Sequence, residues 1–143
     1  MYQKILLPTD GSEAAEVAAK EGIKLAKILN SKLHVLYVID VSAFAGIPTE
    51  AVWENMRSLL EEEGKKALER VKALAEAEGF HNVECLIKEG VPAKEIISTA
   101  KEIEADLIVM GTSGKSGLDR FLIGSVTERV VRTSKIPVLI IRK

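Results

Sequence analysis

Short apolar runs alternate with longer amphipathic segments along this 143-residue chain, and that alternation constrains its fold more than any other feature. The pattern points to an α/β architecture built on a parallel sheet. The first expected strand is Lys4 to Leu7, ending at Pro8-Thr9-Asp10. A helix follows from about Ser12 to Leu29, with Ser12 as N-cap and Ala15, Ala18, Ala19, Ile23 and Ala26 at helical spacing. Lys32 to Asp40 is nearly continuously apolar, as a strand covered on both faces should be. Residues 42–49 break the pattern and read as a mobile loop. A long helix is expected from about Glu50 to Glu78, striped by Met56, Leu60, Ala67, Val71 and Leu74 and ended by Gly79. Gly64 interrupts it, at a cost of about 1 kcal/mol relative to Ala.

The third strand is expected at about Val83 to Lys88. A helix opened by Pro92 then runs to near Ile103. Asp106 to Met110 is uncharged after its first residue and reads as a central strand. A glycine-rich loop over 111–124, a helix to about Ser134 and a last strand from Pro137 to Ile141 complete the chain. The expectation is a single α/β domain: a three-layer, doubly wound, five-stranded parallel sheet.

Composition limits the function classes. With 47% hydrophobic residues the chain is no disordered segment, and a single Cys85 allows no intramolecular disulfide framework. No apolar run approaches the roughly 20 residues that span a bilayer, and Met1 to Lys4 leads into the first strand without a signal-peptide pattern. A soluble, cytoplasmic domain is expected. The net charge of −1 speaks against non-specific nucleic-acid binding. Residues 115–143 nevertheless carry seven basic and two acidic side chains, most of which read as a solvated face. Lys115 and Arg120 fall instead inside the glycine-rich loop.

That loop carries the candidate chemistry. Gly111-Thr112-Ser113-Gly114-Lys115-Ser116-Gly117 places three glycines in seven residues directly after a buried strand. Glycine lets backbone N–H groups approach a ligand closely, and successive N–H groups can form an anion-binding nest. Ten residues on from Gly114, Gly124-Ser125-Val126-Thr127-Glu128 opens a helix, with Ser125 and Glu128 spaced as a capping box. A helix N-terminus offers orphan N–H donors and the positive end of the macrodipole, which suits phosphate. Two better-known motifs fail. A Walker A loop ending at Gly114-Lys115-Ser116 would need glycine where Val109 stands, and no Gly-x-Gly-x-x-Gly fingerprint occurs.

The spacing Gly111-x2-Gly114-x9-Gly124-Ser125 resembles the nucleotide motif of the universal stress protein family, in the branch that binds ATP. The likeness extends to Ile5 through Ser12, Tyr37 to Asp40, Asp106 to Gly111 and Ser134 through Ile141. The resemblance implies strand order 3-2-1-4-5, which the sequence pattern alone leaves open. It also implies an ATP cradle with Mg²⁺ or Mn²⁺ riding on the phosphates. Pro8, Thr9 and Asp10 would line the adenosine, with Asp10 toward the ribose hydroxyls and Val38 meeting the adenine edge through its backbone. Met110, Gly111, Thr112 and Gly114 would follow ribose and phosphates. Ser125, Val126 and Thr127 would hold phosphates at the helix start. Ser113, Lys115, Ser116, Gly117 and Gly124 complete the cradle. Asp10 could instead cap the first helix.

His34 and His81 show no metal spacing and read as a strand and a turn residue. Cys85 reads as a small packed side chain. Phe44 and Trp53 could cover a bound base, although a local apolar cluster accounts for them better. Val138, Leu139, Ile140 and Ile141 would form an apolar edge that invites a second copy, and the family resemblance implies such a homodimer. The leading expectation is an ATP-binding regulator or sensor in the stress response, with loops 42–49 and 111–124 as its moving parts. A slow ATPase or nucleotidyl-transfer enzyme, with Asp10, Lys115 and Arg120 as its candidate groups, and a nucleotide-free dimeric interaction module are the alternatives.

Overall fold

The computed structural model describes residues 1–44, 46, 49–112 and 123–143. In chain order these form β1 (Lys4–Pro8), α1 (Glu13–Leu29), β2 (Lys32–Asp40), a 3₁₀ turn (Val41–Phe44), α2 (Glu50–Ala77), β3 (Val83–Gly90), α3 (Pro92–Glu102), β4 (Leu107–Gly111), α4 (Ser125–Thr133) and β5 (Val138–Ile141). All the pairings are parallel and the strand order is β3-β2-β1-β4-β5, as the family resemblance implies. The expected loop over 42–49 begins as the 3₁₀ turn, and its residues 45, 47 and 48 lie outside the described residues.

Strand alternation sends apolar side chains to both faces of the sheet. Ile5, Leu7, Leu33, Val35 and Val109 bury on the side covered by α1 and α2. Leu6, Leu36, Ile108 and Met110 bury under α3 and α4. Each side chain so buried contributes about 1.5–3 kcal/mol through the hydrophobic effect. The first turn of α1 forms where predicted: Ser12 adopts extended backbone and its hydroxyl accepts the Ala15 N–H at 3.1 Å. Trp53 packs, partly buried, against the core on the α1/α2 side. The side chain of Phe44 lies outside the described residues.

Several expectations change. The helix N-cap is Gly124 rather than Ser125, so Ser125 is the first residue of α4 and no side chain caps it. Cys85 is exposed. Its strand, β3, is an edge of the sheet and pairs only with β2 among the described strands. Partial burial pushes its thiol pKa up. Finally, β5 starts at Val138, one residue later than expected, because Pro137 precedes the ladder and supplies only its carbonyl, to Ile108 N–H at 3.0 Å.

His34 stands in β2, buried, with Nε2 3.2 Å from a Glu84 carboxylate oxygen. Its Nδ1 is buried without a hydrogen-bond partner among the described residues. Burial pushes its pKa below the ordinary value, against the opposing pull of Glu84. A neutral ring that donates from Nε2 and leaves Nδ1 as a lone pair fits both observations.

Candidate functional site

Register, rather than any single side chain, builds the site. Pro8, the last residue of β1, pairs with Leu36. β2 therefore continues past the end of its neighbour through Tyr37, Val38, Ile39 and Asp40. Four residues of strand rise about 13 Å, so β2 stands as a wall over the ends of β1 and β4. Beneath that wall lies a cavity of about 450 Å³ at the carboxyl ends of the strands. Open α/β sheets bind ligands in such a place, where the chain's winding reverses between β1 and β4.

The cavity lining changes character from one side to the other. Leu36 and Val38 of β2, Leu60 of α2, and Pro92 and Ile96 of α3 make one side apolar. The first residues of α4, Ser125 to Thr127, with Gly124 before them, form the opposite side. Thr9 and Asp10 lie between, at the end of the central strand. The β1–α1 turn that presents them is held by short local bonds. Thr9 Oγ1 accepts the Gly11 N–H at 3.2 Å, and Asp10 Oδ1 accepts the Ser12 N–H at 2.9 Å. Asp10 thus forms a turn before the cap rather than the cap itself.

Two bonds stitch α4 to the end of β4. Gly124 N–H donates to the Thr112 carbonyl at 2.6 Å, and Thr127 Oγ1 donates to the Gly111 carbonyl at 2.9 Å. Thr127 is buried, so its hydroxyl serves to position the helix start. The N–H groups of Ser125, Val126 and Thr127 have no partner within their own helix, because the first intrahelical bond runs from Glu128 N–H to the Gly124 carbonyl at 2.9 Å. With no side-chain cap hydrogen bond at this end, the first turn of α4 presents backbone donors and positive dipole to the cavity.

Of the residues singled out from sequence, Pro8, Thr9, Asp10, Val38, Met110, Gly111, Gly124, Ser125, Val126 and Thr127 all line this cavity. Thr112 is buried behind it and contributes its carbonyl to Gly124. Ser113, Gly114, Lys115, Ser116 and Gly117, together with Arg120, lie outside the described residues. Gly111 has a packing reason of its own. A Cβ built there would sit 2.8 Å from the Ala14 carbonyl oxygen.

Sequence reasoning missed Asp40, Leu60, Pro92 and Ile96 on the cavity wall. Asp40 is the last residue of β2, so its place at the carboxyl end of a strand was a signal that could have found it. Leu60 carries only a helical stripe signal, and nothing local marks Pro92 or Ile96 as site residues. Among the described residues no group of three or more His, Cys, Asp or Glu side chains could hold a metal ion.

A doubly wound sheet with a cavity at its switch point, apolar on one side and donor-rich on the other, is the place where open α/β domains take up ligands. The chain belongs to the universal stress protein family, whose model matches residues 1–142. Universal stress protein MJ0531 of Methanocaldococcus jannaschii is 48% identical over all of this chain and 84% of its own length. The solved structure of MJ0577, from the same organism, superposes with a TM-score of 0.83 at 38% identity, covering 100% of this chain and 97% of that one. A universal stress protein solved in complex with cAMP gives a TM-score of 0.71 at 28% identity, covering 99% and 97%.

Proposed function

We propose that the cavity binds an adenine nucleotide, ATP with Mg²⁺ or Mn²⁺, and that the protein is a cytoplasmic, nucleotide-dependent regulator or sensor in the stress response. The observation that carries this reading is the pairing of an apolar wall with the uncapped start of α4 across one cavity. β2 and β4 flank β1, so the two sides stand about 10 Å apart at sheet level, a span that suits a nucleoside phosphate. The apolar wall would take the base, Asp10 would face the sugar, and the N–H groups of Ser125, Val126 and Thr127 would take the phosphates. A metal ion would be held mainly by phosphate oxygens and water, as Mg²⁺ on nucleotides commonly is. The cAMP complex of a 28% identical relative supports an adenine nucleotide as the class of ligand.

Ser125→Pro tests the reading at one residue. Proline is favoured as the first residue of a helix, and Gly124, at φ −64° and ψ 159°, already has the backbone that a residue before proline needs. The variant therefore keeps α4 and removes the backbone N–H together with the hydroxyl, whose share Ser125→Ala measures. Calorimetric titration with MgATP is expected to show micromolar binding by the unaltered protein. The affinity should fall about tenfold to a hundredfold in Ser125→Pro, the range for losing a hydrogen bond to a charged group. Ser125→Ala, which keeps the N–H, should lose less. Equal affinities for Ser125→Pro and the unaltered protein would discard the phosphate assignment.

A homodimer through β5 belongs to the same proposal. β5 closes one edge of the sheet, and Leu139 on it is 40% exposed. Pairing Val138 to Ile141 with a second copy would cover that edge. Light scattering at micromolar concentration should give about twice the 15.6 kDa chain mass, and a monomer would reject the arrangement.

A further inference from the structure

We infer that His34 is an acid-sensitive latch, whose protonation loosens the edge strand β3 from β2 and with it the wall of the cavity. The latch operates whichever ligand the cavity takes.

His34 stands where three strands meet. It is in register with Leu6 of β1 on one side and with Glu84 of β3 on the other. Alternation along β2 sends its ring to the same side of the sheet as Leu36, toward α3. The residue is 4% exposed, and its Nε2 meets the Glu84 carboxylate at 3.2 Å while Nδ1 has no partner among the described residues. A neutral ring tolerates this, because Nδ1 is then a lone pair. A protonated ring carries an N–H at both nitrogens, and the second would be buried without an acceptor.

The charged groups that bear on the ring come from three strands: Lys4 on β1, Lys32 on β2 and Glu84 on β3. The residues that α3 and α4 bury against this side of the sheet, among them Ile96, Thr99 and Val130, bear no charge. Both lysines oppose a charged ring. Glu84 favours one, yet its side chain is half exposed and already holds Lys32 at 3.1 Å. Burial outweighs that pull and keeps the ring's pKa below the ordinary value. The bond to Lys32 holds the Glu84 carboxyl below the usual carboxylate range, so Glu84 stays ionised where histidine titrates.

What β3 supports makes the latch consequential. β1 ends at Pro8, opposite Leu36, so Tyr37 to Asp40 of β2 have only β3 beside them, in register with Ile87 to Gly90. Tyr37, Val38 and Asp40 line the cavity. Opening β3 admits water to the His34 ring, where both N–H groups find partners, so protons favour the open form. The stability of this edge is full above the ordinary histidine pKa of about 6.5. It is lost as the pH falls from there through the lower pKa of the closed form.

The chain's other histidine, His81, lies just before β3, so the experiment uses a His81→Gln background in which His34 is the only histidine. Hydrogen exchange of the nucleotide-free protein, corrected for intrinsic amide rates, is compared between about pH 7 and about pH 5. Protection in β3 and in Tyr37 to Asp40 is expected to fall at least about threefold more than in β1, under a ceiling of about 25-fold set by ordinary histidine titration across that interval. His34→Gln, whose amide can still donate to Glu84 and takes up no proton in this range, should abolish the difference. The imidazole signal of His34, followed by NMR, should titrate below about pH 6.5 and reads the ring directly even if the variant does not fold. An acid loss equal in β3 and β1, a loss that persists in His34→Gln, or a ring that titrates at or above about pH 6.5 would each overturn the latch.

Discussion

Replacing Gly111 with valine is expected to destabilise the protein by about 3 kcal/mol or more before any ligand is involved. A Cβ at this position would lie 2.8 Å from the carbonyl oxygen of Ala14 and 3.1 Å from its carbonyl carbon. These are backbone atoms in the first turn of α1, so relief requires moving the helix rather than turning a side chain. The same turn carries Ser12 as N-cap and follows Thr9 and Asp10, so the shift reaches the centre of the cavity wall. Urea denaturation of the nucleotide-free protein measures the loss. A Gly111→Val variant as stable as the original would show that α1 and β4 are not packed this closely. The expected result also changes how the glycine motif is understood. Its first glycine is required by the approach of α1 to β4, so loss of nucleotide binding in Gly111→Val would not demonstrate a phosphate contact. Ser125→Pro is the cleaner probe.

Gly64→Ala is expected to lower stability by about 1–3 kcal/mol, although alanine is the better helix former by about 1 kcal/mol. Gly64 is buried in the middle of α2, and a Cβ there would meet the Tyr37 ring at 2.6 Å from Cδ1 and 2.9 Å from Cε1. Tyr37 is only 4% exposed, so the ring has little room to retreat. It also lines the cavity, and pushing it displaces the part of β2 that overhangs β1. The measurement is again urea unfolding, with Glu62→Ala compared with Glu62→Gly, at an exposed position on the same helix, as the propensity control. A Gly64→Ala variant at least as stable as the original would mean that helix propensity, not close packing, governs this site. The interruption that looks like a flaw in the helical pattern is thus the contact that lets α2 lie against β2.

The elements were largely legible in the sequence because each announces itself locally. Alternating small apolar residues from Ala15 to Ala26 report one buried helix face. The unbroken apolar run of β2 reports burial on both sides, and Ser12 marks the start of α1 through a hydroxyl three residues from the N–H it accepts. The glycine spacing after β4 and the carboxyl ends of β1 and β2 were likewise readable, and most of the residues they single out meet at one cavity.

The remainder depended on partners distant in the chain. The Ser125 and Glu128 spacing marks Ser125 as the cap, and nothing near it chooses Gly124 instead. The choice follows the Gly124 bond to Thr112 and the Thr127 bond to Gly111, which fix where α4 begins. Cys85 alternates like a half-buried strand residue, and only the place of β3 at the sheet edge exposes it. Sequence by itself determined the alternation of strands and helices, the family to which the chain belongs and the stretches that could meet a ligand, because these reside in periodicity and short spacings. The order of the strands came from the family resemblance and not from the local pattern; tertiary structure alone decided the height of β2 over β1, the entry of Asp40, Pro92 and Ile96 into the site, and the reasons for Gly64 and Gly111. Those features arise from register and close approach between segments far apart along the chain, which a local pattern does not encode.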